Sequence, residues 1–157
     1  MHDTTRRWIG LVAAAITATT GLVATTTAPA QAITFYEGHS PEEYFTGNNG
    51  IRYRCTDDAL TAREAYLPGG GPLIAELRYS PRCRTAWARG KANYDVRVDG
   101  FYANGQYRTH ADAGRNPGAP STAVHWTVML DDAGLLARAC TAWGDNNEYE
   151  EYCTSRY

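Results

Sequence analysis

Apolar and polar side chains alternate over much of the chain, while apolar residues at helical spacing are nearly absent. Leu73, Ala75, Leu77 and Tyr79 supply one inward face, with Glu76 and Arg78 between them, the period-two pattern of a half-buried strand. Tyr94, Val96 and Val98 alternate with Asp95, Arg97 and Asp99, and this strand is predicted to run on to Ala103. Asn104-Gly105 follows as a two-residue hairpin turn, a geometry that wants positive φ at both central positions. Pairing across that turn sets Tyr102 opposite Tyr107. Val124, Trp126, Val128 and Leu130 form one further face, with His125, Thr127 and Met129 on the other, and Asp131 to Gly134 is expected to turn into a strand over Leu135 to Trp143 as a second hairpin.

Between these hairpins, Ala111 to Ser121 holds two prolines and two glycines and is expected to be a loop. Thr56 to Arg63 is compatible with a helical turn that has Asp57 or Asp58 near its start. Residues Ile33 to Gly50 show no clean period and mix aromatics with Glu37, Glu42 and Glu43, an irregular arm. The pattern therefore predicts an all-β fold, a small barrel or sandwich of about six short strands, in a single domain spanning residues 51–157.

Residues 1–32 are of another kind. Arg6 and Arg7 precede an apolar stretch from Trp8 to Val23, and Ala30-Gln31-Ala32 is a small-residue cleavage site, so a secretory signal peptide cut after Ala32 is expected. The apolar stretch is interrupted by Thr17, Thr19, Thr20 and Gly21, which argues for cleavage over anchoring, and the expected product has no membrane association. Thr5-Arg6-Arg7-Trp8-Ile9 also loosely matches a twin-arginine signal, leaving the export route open.

Charge narrows the partners. The chain has 15 basic and 17 acidic side chains and a net charge of −2, and loss of the leader makes it slightly more acidic. A nucleic-acid binder needs a basic surface to release counterions, so none is expected as a partner. All 4 cysteines, Cys55, Cys83, Cys140 and Cys153, follow the expected cleavage site, and an even count in an exported chain points to two disulfides. Three connectivities are possible; joining sequence neighbours, Cys55 with Cys83 and Cys140 with Cys153, closes the shortest loops, each worth roughly 3 to 4 kcal/mol by loop entropy. The spacings lack the paired knuckles that hold zinc, and no metal or other cofactor is expected.

The densest stretch is Glu76-Leu77-Arg78-Tyr79-Ser80-Pro81-Arg82-Cys83-Arg84-Thr85-Ala86-Trp87-Ala88-Arg89, which joins a strand, a proline turn, a cysteine, an indole and four arginines. With Cys55, Asp58-Ala59 and Thr61 before it and Trp126 to Leu130 after it, this stretch resembles the YjfA-like family of secreted proteins of unknown function (DUF2690), over most of residues 50 to 140. The resemblance implies export, a small β domain and the Cys55 to Cys83 bridge, and it supplies no activity. Family members commonly carry an extra cysteine pair before the position of Cys55; this chain has none there and has Cys153 in an acidic tail instead.

Two kinds of chemistry remain. Glu76, Arg78, Arg84 and Arg89 can pair with one another or stack on Trp87, or the arginines can present their forks to carboxylate or phosphate groups. His110 with Asp112, His125 and Asp57 or Asp58 is the best enzyme constellation, fit for metal binding or acid-base chemistry, yet no catalytic motif accompanies it. The 11 tyrosines, Tyr36, Tyr44, Tyr102, Tyr107, Tyr149, Tyr152 and Tyr157 among them, suit an aromatic contact surface, and Tyr79 belongs to the Glu76 to Arg89 motif as a further candidate binding residue. The expectation is thus a monomeric, non-enzymatic binding module at or beyond the cell envelope, its partner a cell-wall polymer or another secreted protein. A small secreted hydrolase or metal-dependent enzyme is the alternative, and an inhibitor of a secreted hydrolase, presenting Ala111 to Ser121, the third reading.

Overall fold

Short runs of alternating side chains cannot bury themselves singly, so the strands pair and then stack. In the computed structural model, which describes residues 35–143 and 150–157, eleven strands pair antiparallel. The leader, its cleavage site and Tyr149 lie outside the described residues. One sheet has the order β3 (Leu60–Tyr66), β4 (Leu73–Ser80), β5 (Thr85–Lys91), β8 (Val124–Trp126), and β9 (Leu130–Asp131) also pairs with β5. A second sheet has the order β11 (Glu150–Cys153), β10 (Leu136–Trp143), β6 (Asp95–Phe101), β7 (Tyr107–Ala113). A ribbon of β1 (Phe45–Thr46) and β2 (Arg52–Tyr53) belongs to the arm. The two larger sheets stack as a sandwich rather than closing into a barrel. No described helix is long and apolar enough to cross a membrane.

The sandwich core is built from small side chains. Ala75, Leu77, Ala86 and Ala88 of one sheet pack with Val96, Val98, Ala137 and Ala139 of the other, and Leu130 joins them. Alanines on both faces let the sheets approach closely, and Gly90 marks the tightest point: a Cβ there would lie 2.7 Å from Val96 Cγ2 and 2.9 Å from the Ile74 carbonyl. Both expected disulfides are formed, Cys55–Cys83 across 28 residues and Cys140–Cys153 across 13, the latter joining residues directly opposite on β10 and β11.

Several local expectations are corrected. The β6–β7 loop has three residues, Ala103 to Gly105, closed by the Gly105 N–H donating to the Tyr102 carbonyl at 2.8 Å, with positive φ only at Gly105. The offset is confined to the hairpin end by a bulge between Gly100 and Phe101, so Tyr107 lies opposite Phe101, ring centroids 6.0 Å apart, and not opposite Tyr102, while the pairs from Gly100 with Thr109 to Val96 with Ala113 keep the register of a two-residue turn. Asp131 to Gly134 is no hairpin turn, because β9 pairs with β5 while β10 pairs with β6; the segment carries the chain from one sheet to the other. Residues Ala111 to Ala113 belong to β7, which shortens the expected loop. The helical turn is a single 3-10 turn over Cys55–Asp58, and Leu60 onward is an edge strand.

The largest correction concerns Val124 to Leu130. Arg89 pairs with Trp126 while Ala86 pairs with Leu130, so β8 and β9 differ by one residue in register against β5. A one-residue slip exchanges the two faces of a strand. Leu130 therefore points into the sandwich and Trp126 away from it, while Thr127 and Met129 are buried and Val128 is exposed. Thr127 bridges the slip: its N–H donates to the Ala88 carbonyl at 3.0 Å, and its hydroxyl accepts from the Ala88 N–H at 3.1 Å. Freed from the ladder, Met129 pairs with the arm, its N–H donating to the His39 carbonyl and its carbonyl accepting from the Gly38 N–H, both at 2.9 Å.

These contacts set two expectations for stability. Thr127→Val keeps the shape but leaves the buried Ala88 N–H without its acceptor, and a loss of about 1 to 3 kcal/mol in urea unfolding is expected, with Thr127→Ser losing less. Gly90→Ala drives a methyl into backbone as well as side chain and is expected to cost about 1 to 3 kcal/mol by the same measurement.

Candidate functional site

The outward face of the five-stranded sheet is set by three i, i+2 pairs: Glu76 and Arg78 on β4, Trp87 and Arg89 on β5, Val124 and Trp126 on β8. Register aligns them in rows. Glu76, Arg89 and Trp126 are directly opposite one another across the three strands, and Arg78 is flanked by Thr61 and Trp87. The arm covers part of this face. Phe45, Cys55, Cys83, Trp87 and Met129 form a second buried cluster, with Tyr36, Tyr53, Ala59 and Trp126 packed against it.

What the arm leaves open is a cavity of about 310 Å³ lined by Glu42, Thr56, Ala59, Arg78, Trp87, Arg89, Val124 and Trp126. A shallower hollow of about 200 Å³ adjoins it along the same strands, sharing Arg89 and Val124 and adding Glu76 and Lys91. Glu76 organises the arginines, with Oε2 3.3 Å from Arg89 Nε and Oε1 3.8 Å from Arg78 Nη1. Arg78 also donates to the Thr61 hydroxyl and, at 3.2 Å, to the Ala59 carbonyl. Arg89 makes no hydrogen bond through its terminal nitrogens among the described residues, and its side chain is 40% exposed. Thr56 Oγ1 is buried with no hydrogen-bond partner there.

Asp58 holds the wall of this cavity in place. It accepts from the Ser80 hydroxyl at 2.6 Å and the Arg82 N–H at 2.8 Å, while Ser80 Oγ accepts from the Cys83 N–H at 3.1 Å. With the Cys55–Cys83 bridge, these bonds fasten the 3-10 turn to the β4–β5 turn. Arg84 closes that turn in the left-handed region at φ 53°, a conformation costing a non-glycine residue about 1 to 2 kcal/mol that the neighbouring bonds sustain.

A family model described as a protein of unknown function (DUF2690) matches residues 35–140. The chain belongs to the DUF2690 family. The match takes in the arm, β4, β5 and β8, and hence every residue lining the cavity. No curated protein matches the chain, and no solved structure does.

Of the residues singled out in the sequence, the DUF2690 fold brings Glu76, Arg78, Trp87 and Arg89 together. Tyr79 lies elsewhere, half-buried with its ring 5.4 Å from that of Tyr157 and its pKa raised by burial. Arg84 is exposed at the turn, and Tyr102 and Tyr107 are exposed at the end of the β6–β7 hairpin. Tyr44, on the arm, is exposed beneath the guanidinium of Arg52 at 4.5 Å. The exposed tyrosines are thus spread over several elements. His110 and Asp112 do meet, Nε2 to Oδ2 at 3.1 Å, on the exposed edge strand β7. His125 is in the other sheet, on the same side as Gly90, with Nε2 buried and unpartnered and its pKa lowered by burial, contrary to a solvent-facing ring. Cys140, Cys153 and Glu151 are the one group of potential metal ligands close enough to share an ion among the described residues, and the disulfide consumes both sulfurs.

Sequence pattern missed Trp126, Thr56 and Glu42. Trp126 was hidden by the register slip. Glu42 lies in the arm and Thr56 in the 3-10 turn, neither of which alternation addresses, and the only signal for them was the proximity of Thr56 to Cys55.

A second polar cluster joins the arm to the far end of the sandwich. Glu37 pairs with Arg108 at 2.8 Å, and Glu37 Oε2, Arg108 Nε and Asp132 Oδ1 are all buried without a hydrogen-bond partner. Burial, reinforced by the neighbouring Asp131, pushes the Asp132 carboxyl up to about 7, against the opposing pull of Arg108 and Arg84. A raised folded pKa means the folded state holds the proton more tightly, so this contribution is complete below about pH 4 and is lost as pH rises through 7. Asp132→Asn is therefore expected to unfold at higher urea than the parent at pH 8 and at a similar concentration at pH 4.

Proposed function

We propose that this DUF2690 protein is an exported, non-enzymatic binding module acting at or beyond the cell envelope, with the outward face of β4, β5 and β8 as its binding surface. The observation that carries this reading is the convergence of Arg78, Trp87, Arg89 and Trp126 on one open cavity. Two indoles and two guanidiniums around one cavity, Arg89 40% exposed among them, are the kinds of group that dominate binding energy at recognition sites. Export is supported by the leader composition of residues 1–32 and by two formed disulfides, which persist in oxidising compartments. The partner that fits is a cell-wall polymer or another secreted protein. His110 and Asp112 without His125 give the enzyme reading little support, since two exposed groups offer no enclosed site.

The test is retention of the oxidised protein on isolated cell walls and on the proteins secreted by the same cells. Trp126→Ala and Arg89→Gln are each expected to weaken saturable retention by roughly tenfold or more, whereas Tyr102→Ala and His110→Ala leave it unchanged. Turnover of a wall polymer or peptide that disappears with His110→Ala would replace this reading with the enzyme.

A further inference from the structure

Three features of the cavity, taken together, specify a ligand more closely than "a wall component", on the premise that this face is the binding surface. The first is charge. Arg78 already contacts the Thr61 hydroxyl, the Ala59 carbonyl and Glu76 through its two terminal nitrogens, so its fork is occupied. Arg89 is different: Glu76 contacts only its Nε, which leaves the two terminal nitrogens of this 40% exposed side chain as an unused fork. A guanidinium fork oriented from behind by a carboxylate matches a planar monoanionic carboxylate through two parallel hydrogen bonds.

The second feature is the pair of uncommitted oxygens. Thr56 Oγ1 is buried at the cavity wall without a partner, and a buried hydroxyl left unsatisfied is costly, so a ligand group that bonds it gains more than the same contact in water. Glu42, exposed on the arm, also lines the cavity and brings a carboxylate that can accept hydrogen bonds. Together they suit a ligand that carries hydroxyls as well as a carboxylate. The third is shape. Trp126 lies beside Arg89 in the same cross-strand row, so a ring laid on the indole places a substituent at the fork. A cavity of about 310 Å³ is at the small end of ligand sites and takes one ring, and the adjoining hollow leaves the chain on either side room to continue.

We propose that the cavity binds a carboxylate-bearing sugar residue within an acidic glycan, the carboxylate on Arg89, the ring face on Trp126 and a hydroxyl on Thr56. Arg78 and Glu76 act as positioning residues that hold the fork in place.

The experiment is calorimetric titration of the oxidised protein with three probes: an oligomer of a uronic acid, the same oligomer after reduction of its carboxyl groups to alcohols, and an oligoglutamate peptide of matched charge. The uronate oligomer is expected to bind at least tenfold more tightly than either of the others. Arg89→Gln should erase its advantage over the reduced oligomer, Trp126→Ala should weaken both sugars, and Thr56→Val should weaken both without changing their ratio. Circular dichroism and urea unfolding of each variant separate lost contacts from lost fold. Equal binding of the charged and reduced oligomers, tighter binding of the peptide, or an Arg89→Gln variant that still discriminates would overturn the assignment. If wall retention falls in Trp126→Ala but no uronate preference exists, the ligand class is wrong and the face is right; if wall retention survives both Trp126→Ala and Arg89→Gln, the face itself is wrong.

Discussion

One residue inserted between Trp126 and Leu130 governs the architecture of both faces of the five-stranded sheet. Without that slip in register, β8 and β9 would be one strand and Leu130 would share the outward face of Trp126. With it, Leu130 completes the alanine-rich core, Trp126 stands on the outer face, and Met129 leaves the ladder to grip the arm. Thr127 makes the slip tolerable because its hydroxyl substitutes for the missing carbonyl acceptor in a buried position. The second buried cluster, and the cavity beside it, depend on that substitution.

The disulfides serve different ends. Cys140–Cys153 fastens one edge strand to its neighbour within a sheet. Cys55–Cys83 ties the 3-10 turn that follows the arm to the β4–β5 turn, and Asp58 repeats the same connection through hydrogen bonds. A core dominated by alanines buries little apolar area per residue, so covalent staples closing loops of these lengths, each worth roughly 3 to 4 kcal/mol, offset what the sandwich lacks. The arm is thus a structural layer, and its placement turns a sheet face into a concave site.

Two carboxylate-centred clusters in the molecule arrange similar chemistry differently. Asp99, nearly fully buried, accepts from Arg97 at 2.7 Å and from Arg138 at 2.9 Å, and Arg97 is further paired with Glu151 at 2.6 Å. There the buried carboxylate is enclosed by charge on both sides, as burial of an ion demands. Glu76 likewise sits between two arginines, but Arg89 keeps its fork free at the edge of a cavity flanked by indoles. Recognition needs such an unfinished pair: one cation oriented by the protein and still unsatisfied by it.

Alternation alone established an all-β chain, the inward faces of β4 and β6 and the hairpin near Gly105, because a side-chain period of two is a local property of extended backbone. Cysteine spacing likewise pointed to neighbour pairing, and the Glu76 to Arg89 stretch displayed the alternation that puts Glu76 and Arg78 on one side of their strand. Only the tertiary structure decided that Trp126 belongs with Arg89, that the arm covers Trp87, and that His125 is apart from His110. Those facts rest on register between strands distant in sequence, where one inserted residue at Thr127 to Met129 reverses the faces of the strand beyond it. No local pattern encodes such an offset, since it is fixed by which pairing buries most apolar surface while leaving no buried N–H without an acceptor.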